Sequence, residues 1–262
     1  MKNEDDKNLL LVTASNSLKI LTLFSDRTPL LGVTEISRRL GLAKSIVSRI
    51  IQTFVAEGVL ERDELTGKYR LGTALLELGL IAAECNPVFR ASQQVVEKLH
   101  QQTGLDSYLL LLDQNESLFL LLYKQPNSAW RLFCMGSRTA LPNTIGGLTM
   151  LAFLEPMQAQ QVMQSHFGCT SEMALLRDVR YLKEIEVSGY AYGEEPLCQE
   201  IRSVACPIFD PTGKVLASIA VSGGIQRVKL SQVEELLASV AKAARHISHS
   251  LYPLLRSFPP IE

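Results

Sequence analysis

The stretch that decides the fold is residues 34–57, which read TEISRRLGLAKSIVSRIIQTFVAE. Its apolar residues keep helical spacing as far as Leu40, the spacing breaks at Gly41, and it resumes at Val47. Two short helices joined by a tight turn give this pattern. We therefore predict a helix-turn-helix over these residues.

The second predicted helix has two chemically different faces. Offsets of three, four and seven residues bring together the apolar side chains of Val47, Ile50, Ile51 and Phe54. Two cations, two hydroxyls and one amide share the other face: Lys44, Ser45, Ser48, Arg49 and Gln52. Cations suit phosphate or guanine, and an amide can pair with adenine. Taken alone, the polar face is either a DNA-reading surface or an ordinary solvated face.

The flanking sequence favours the DNA-reading interpretation. Leu18, Ile20, Leu21 and Phe24 predict an amphipathic helix that ends at Asp26 to Pro29. Residues 59–62 and 68–71 are predicted to form a hairpin. Three helices followed by a hairpin form a winged helix-turn-helix. The winged helix-turn-helix also has cations outside the second helix, which together with Lys44 and Arg49 form a basic patch. We predict DNA contacts for Arg38, Lys68 and Arg70.

Composition narrows the class of protein. The chain has 262 residues, 47% of them apolar and 20% charged, which is typical of a globular protein with one or two cores. Five cysteines without a C-x-x-C pair indicate a reducing compartment. No apolar run approaches the ~20 residues of a transmembrane helix. We expect a cytoplasmic protein without a membrane partner.

No catalytic, cofactor or metal site is predicted. Thr66-Gly67-Lys68 cannot be a phosphate-binding loop, because Arg62 and Tyr69 stand where that pattern needs Gly and Ser or Thr. His246 and His249 have no evident third metal ligand nearby, and the Glu194–Glu195 pair is interpreted as part of a solvated face. We therefore predict that the chain is not an enzyme.

The remainder of the chain predicts an α+β domain that begins at Pro87. The predicted strands, arranged as hairpins, are residues 108–112, 118–123, 130–135, 204–209 and 215–222. The predicted helices run from Pro87 to about His100, from Leu148 to Leu154 and from about Ser231 to Leu251. The apolar helix at 73–85, which precedes this domain, is buried either within its own chain or against a second subunit.

One segment of this domain is suited to an anion. Residues 144–147 have little side-chain bulk before a helix, so their backbone N–H groups could meet a carboxylate. Ser203 and Ser222, on neighbouring predicted strands, could add hydroxyl donors. The alternative is that the glycines serve turns and the serines are merely small.

The two halves resemble the IclR family of transcriptional regulators. Gly-Leu-x-Lys-Ser-x-x-x-Arg at 41–49 and Tyr-Arg-Leu-Gly at 69–72 resemble the DNA-binding half of that family. Residues 136–138, 145–147, 189–195, 201–210 and 222–223 resemble its effector-binding half. Together these matches cover nearly the whole chain.

The resemblance implies a domain order and an effector pocket. It implies a winged helix-turn-helix over residues 1–72, a linker helix over 73–86 that contributes to dimerisation, and a GAF-like domain over 87–262. A GAF-like domain has an antiparallel sheet with helices to one side and a pocket for a small organic molecule, often an acid. The expected effector-binding residues are Leu132, Thr144, Ile145, Gly146, Gly147, Gly193, Ser203, Ala220 and Ser222.

These expectations define a regulator with named partners. We expect a homodimer or tetramer that binds a double-stranded DNA operator, with an affinity controlled by a small, acid-like effector. One alternative is a DNA-binding protein whose second domain only oligomerises or binds protein. A more distant one is a metabolic enzyme with an accessory helix-turn-helix.

Overall fold

A computed structural model of the chain describes residues 11–25, 27–128, 130, 133–167 and 172–256. The chain divides into two compact units, residues 1–83 and 84–262. Within the described ranges, no helix is long and apolar enough to cross a bilayer.

The first unit is a winged helix-turn-helix, as predicted. Its helices are α1 (Val12–Leu21), α2 (Val33–Leu40) and α3 (Lys44–Ala56), and its hairpin joins β1 (Leu60–Arg62) to β2 (Tyr69–Leu71). Gly41 and Gly58 adopt φ angles of 66° and 68°, which only glycine adopts readily, so each ends the helix before it.

The core of this unit confirms the predicted apolar face of α3. The buried side chains from α3 are Val47, Ile50 and Ile51, while Phe54 is partly buried beside them. The predicted end of the first helix is wrong, because α1 ends at Leu21. Phe24 packs into the core from beyond the helix, and Leu18 is exposed. Asp26, expected near the helix end, lies outside the described residues.

A single helix, α4 (Thr73–Cys85), follows the hairpin, and none of its residues is buried within the chain. Four of its large apolar side chains, Leu76, Leu78, Leu80 and Ile81, are more than half exposed. The possibility that this helix is buried in its own chain is therefore wrong. An apolar helix left uncovered by its own chain is suited to packing against another molecule.

The second unit contains a six-stranded antiparallel sheet of order β5-β4-β3-β8-β7-β6. Its strands are β3 (Asp106–Asp113), β4 (Glu116–Tyr123), β5 (Arg138–Ala140), β6 (Ala191–Glu195), β7 (Cys198–Phe209) and β8 (Val215–Gly224). Its helices are α5 (Pro87–Thr103), α6 (Ile145–Leu151), α7 (Pro156–Phe167), α8 (Glu172–Ser188) and α9 (Val233–Arg256).

Helices pack on both faces of this sheet, so the expected arrangement with helices to one side is wrong. Helices α5 and α9 cover one face, where Val96 and Ile247 meet Ile219. Helices α6 and α8 cover the other, where Ile145 and Ile185 lie in one core with Ala220. The reason is that β3, β7 and β8 are buried on both sides, so each face needs a cover.

Several predicted bounds are also corrected. The strand expected at 130–135 does not form at the described residues of that stretch, 130 and 133–135, and the edge strand is β5 instead. Helix α6 spans residues 145–151 rather than 148–154. Helices α7 and α8 and strand β6 were not predicted.

Candidate functional sites

The polar face of α3 is open to solvent. Lys44, Ser45, Arg49 and Gln52 are exposed and Ser48 is half-buried. Ser45, Ser48 and Gln52 lie at the middle of this face, and Arg49 lies at its edge. There Arg49 lines a cleft of about 360 Å³ between α1 and α3, together with Ile46 and Thr53. The middle of the face is therefore small and uncharged, and its cations lie at the margins.

The cations predicted to contact DNA differ in their partners. Among the residues that the structure describes, Arg38, Lys44, Arg49 and Lys68 form no ion pair. Arg70 is different, because it lies opposite Glu61 in the hairpin and contacts that carboxylate at 3.0 Å. A DNA phosphate would have to compete with Glu61 for this guanidinium.

Eight of the nine expected effector-binding residues come together in the second unit. Gly193, Ser203 and Ser222 lie in register on β6, β7 and β8, and Ala220 lies two residues from Ser222 on the same sheet face. The other four begin α6, which packs on that face: Thr144, Ile145, Gly146 and Gly147. Leu132, the ninth, lies outside the described residues.

Two of the backbone N–H groups that were expected to be free at the start of α6 already have partners. The Ile145 N–H donates to Glu195 Oε2 at 2.9 Å, and the Gly147 N–H donates to Thr144 Oγ1 at 3.0 Å. For Ile145 and Gly147, the prediction of a free N–H group is therefore wrong. The physical reason is that the chain supplies its own acceptors, one of them a carboxylate.

Glu195 is the main feature that the sequence interpretation missed. Its side chain is fully buried, so its assignment to a solvated face is wrong, although Glu194 beside it is exposed. The Tyr108 hydroxyl on β3 donates a hydrogen bond to Glu195 Oε1 at 2.9 Å. Ser203 lies beside the carboxyl and favours its charged form, but its hydroxyl makes no hydrogen bond of ordinary geometry.

Burial controls the charge of this group. Loss of hydration raises the pKa of Glu195 from its ordinary value of 4.5 to about 7, against the opposing effects of Ser203, Ile145 and Tyr108. The Tyr108 pKa is raised well above its ordinary value, first by burial and then by the Glu195 charge. Near neutral pH, Tyr108 therefore keeps its proton and Glu195 is poised to gain or lose one.

Trp130 closes the same face next to Ser222. Its indole N–H donates to Ser222 Oγ at 2.6 Å, and its ring packs edge-on against Tyr108. The segment before it is anchored by buried Asp106, which accepts hydrogen bonds from Gln125 N at 2.6 Å and Ser128 Oγ at 2.5 Å. Trp130 is the only tryptophan of the chain, so its fluorescence reports on this site alone.

Metal-ligating and nucleophilic side chains elsewhere in the described structure are isolated or buried. Among the described residues, no group of three or more His, Cys, Asp and Glu could hold a metal ion. His246 and His249 are both exposed on α9. Burial raises the pKa of Cys206 to about 12, which makes that thiol a poor nucleophile.

Comparisons with known proteins agree with both halves of the chain. Residues 13–64 match the family described as the IclR helix-turn-helix domain, and residues 82–249 match the bacterial transcriptional regulator IclR C-terminal family. Relatives include the HTH-type transcriptional regulator BhcR of Paracoccus denitrificans, 28% identical over 85% of this chain and 81% of that protein. The HTH-type transcriptional regulator KdgR of Escherichia coli is 27% identical over 83% of this chain and 84% of that protein.

Solved structures show the same fold. An IclR-type regulator from Alicyclobacillus acidocaldarius has a TM-score of 0.81 and 22% identity, covering 92% of this chain and 99% of that one. An IclR homologue from Microbacterium hydrocarbonoxydans, complexed with 4-hydroxybenzoate, has a TM-score of 0.80 and 23% identity. The match covers 91% of this chain and 98% of that one. With matching families over both halves, this chain belongs to the IclR family of transcriptional regulators.

Proposed function

We propose that this regulator binds its operator as a homodimer or tetramer in the cytoplasm, through the polar face of α3. The observation that carries the proposal is an exposed face of hydroxyls, an amide and unpaired cations on the second helix of a winged helix-turn-helix. Gln52, Ser45 and Ser48 read base edges, and the flanking cations contact phosphates. The uncovered apolar helix α4 supplies a surface for a second subunit.

We also propose that a small organic effector binds in the second unit and changes operator affinity. Support comes from the convergence of eight expected residues on one sheet face, and from the related structure that contains 4-hydroxybenzoate. An acid-like effector is consistent with that ligand. Such control requires different effector affinities for the DNA-competent and DNA-incompetent states, because equal affinities shift nothing.

The experiment that tests DNA binding uses a duplex from the chain's own upstream region beside an unrelated duplex of equal length. Between ~50 and ~200 mM salt, specific binding should prefer the upstream duplex and weaken steeply, because phosphate contacts release counterions. Absence of binding to both duplexes at the lower salt concentration would contradict the proposal. Turnover of a small molecule by the protein would instead favour an enzyme.

Arg49→Ala is expected to weaken binding to the operator and to an unrelated duplex alike and to lower the salt dependence, because Arg49 is an exposed cation that pairs with no carboxylate among the described residues and is placed to contact a phosphate. If Arg49 reads a base instead, the loss should be about 1–3 kcal/mol at the operator, with relaxed specificity there. Electrophoretic mobility shift titrations with both duplexes at low and high salt measure the change. Arg90→Ala is the matched control, since Arg90 is an exposed arginine on α5 in the other unit. Equal losses in the two variants would remove Arg49 from the interface.

Ser222→Leu is expected to abolish the effector response while sparing operator affinity. Ser222 is fully buried, and leucine can neither accept the Trp130 indole proton nor fit without displacing that ring. Trp130 fluorescence should shift towards that of an exposed indole. A normal response in Ser222→Leu would mean that the effector binds elsewhere.

A further inference from the structure

The candidate effector site contains a carboxylate that belongs to the chain itself. Glu195 reaches it from β6, Tyr108 from β3, and both oxygens of the carboxylate are used, one by the Tyr108 hydroxyl and one by the Ile145 N–H. All three residues are buried. Two donors aimed at separate oxygens of one group form an arrangement that binds a carboxylate, and here the carboxylate is internal.

The same face also holds hydroxyls without partners. Ser218 Oγ is fully buried and, among the described residues, makes no hydrogen bond. It lies next to Gly146, where a Cβ would approach it to 3.0 Å. A buried hydroxyl without a partner costs stability, and a ligand with polar groups on this face would supply the missing hydrogen bond.

One edge of the site is accessible. Gly193 is partly exposed, whereas the other seven described members of the expected set are buried. Among the described residues, a Cβ at Gly193 would meet Ile145 Cδ1 at 3.5 Å and the Tyr181 hydroxyl at 3.6 Å, which are ordinary contact distances. Gly193 and Glu195 are two residues apart on β6, so they face the same side of the sheet. A small ligand that enters beside Gly193 therefore approaches Glu195.

We propose that Glu195 is a specificity-determining residue, whose carboxylate fills the carboxylate position of the site and excludes a free carboxylate from it. The proposal rests on the proposed effector-binding function and names the class of ligand. The group that an effector presents to Glu195 is a hydrogen-bond donor, such as a hydroxyl or ammonium. Any acid group of the effector lies away from Glu195, because two carboxylates in contact without water repel each other.

The test replaces the internal carboxylate with a free one. Glu195→Gly leaves the Tyr108 hydroxyl and the Ile145 N–H without their acceptor, so the Trp130-monitored melting temperature should fall by about 5 °C. Sodium acetate at pH 5, where part of it carries the proton that this buried position favours, should restore it in a saturable manner, whereas sodium chloride at the same pH should not. The wild-type melting temperature should not respond to acetate, because Glu195 already occupies the position.

Two controls keep the test decisive. Glu194→Gly removes the exposed neighbouring carboxylate and should show no acetate response; Glu195→Gln keeps the position filled and should show none either. If Glu195→Gly does not fold, refolding yield with and without acetate replaces the melting temperature. Failure of acetate to rescue the variant, or an equal acetate effect on the wild type, would overturn the proposal. Neither measurement uses operator DNA, so loss of DNA binding would count only against the proposed function.

Discussion

Raising the pH from 5 to 8 is expected to destabilise the unit that contains Glu195 by about 2–3 kcal/mol relative to its Glu195→Gln variant. Burial raises the pKa of Glu195 from 4.5 to about 7 in the folded state, so folding favours the protonated form. The resulting stabilisation is fully present below about pH 4.5 and is lost as the pH rises through about 7. Above that pH, the folded chain holds a buried charge.

Glutamine is the appropriate comparison because it reproduces the protonated acid. Its amide oxygen can accept the Ile145 N–H while its amide nitrogen donates to the Tyr108 oxygen, since a tyrosine hydroxyl both donates and accepts. Tyr108 and Tyr181, the titratable side chains that face Glu195 from β3 and α8, have raised pKa values and stay neutral over this range. The variant should therefore lack the Glu195 contribution to the pH dependence.

Urea unfolding followed by Trp130 fluorescence measures the difference, because Trp130 lies in the same unit. Glu194→Gln should parallel the wild type, since Glu194 is exposed and faces Arg202 at 3.1 Å. Parallel pH profiles for wild type and Glu195→Gln would contradict a buried, shifted carboxylate at this position.

The fold of the DNA-binding half was predictable because the residues that determine it lie close together in the sequence. The period of 3.6 residues divides α3 into a buried and an open face, and the helix-ending glycines at 41 and 58 lie within the same short stretch. The effector half was predictable only in part. Strand hairpins such as β7 and β8 are recognisable from apolar runs around a turn, so Ser203 and Ser222 could be expected to be neighbours.

The environment of Glu195 depends on contacts that are distant in sequence. Tyr108 is 87 residues away and Ile145 is 50 residues away. Adjacency correctly indicates that Glu194 and Glu195 point in different directions, but it does not reveal which one faces the core. The wrong strand at 130–135 has a similar cause, because Trp130 and Phe133 pack through their rings around Phe119 rather than through strand pairing.

Gly147→Ala is expected to destabilise the second unit by about 3 kcal/mol, because its new Cβ would lie 2.1 Å from the Leu141 carbonyl oxygen. Backbone atoms cannot move aside as a side-chain tip can, so the start of α6 and the turn at Leu141 must move apart. Gly146→Ala should cost less, since its Cβ would meet side-chain atoms of Leu110, Ser218 and Tyr108 at 3.0–3.1 Å.

Gly224→Ala, at the end of β8, is the matched control, because a Cβ there meets no atom of the described residues within 4 Å. Urea unfolding monitored by Trp130 fluorescence should rank the losses of stability as Gly147→Ala, Gly146→Ala and Gly224→Ala, from largest to smallest. A loss for Gly147→Ala as small as that for Gly224→Ala would mean that α6 can move without cost. Because Ile145 binds Glu195 from the first turn of α6, a shift of this helix should also weaken that contact. The pH dependence of stability should then change together with the stability itself.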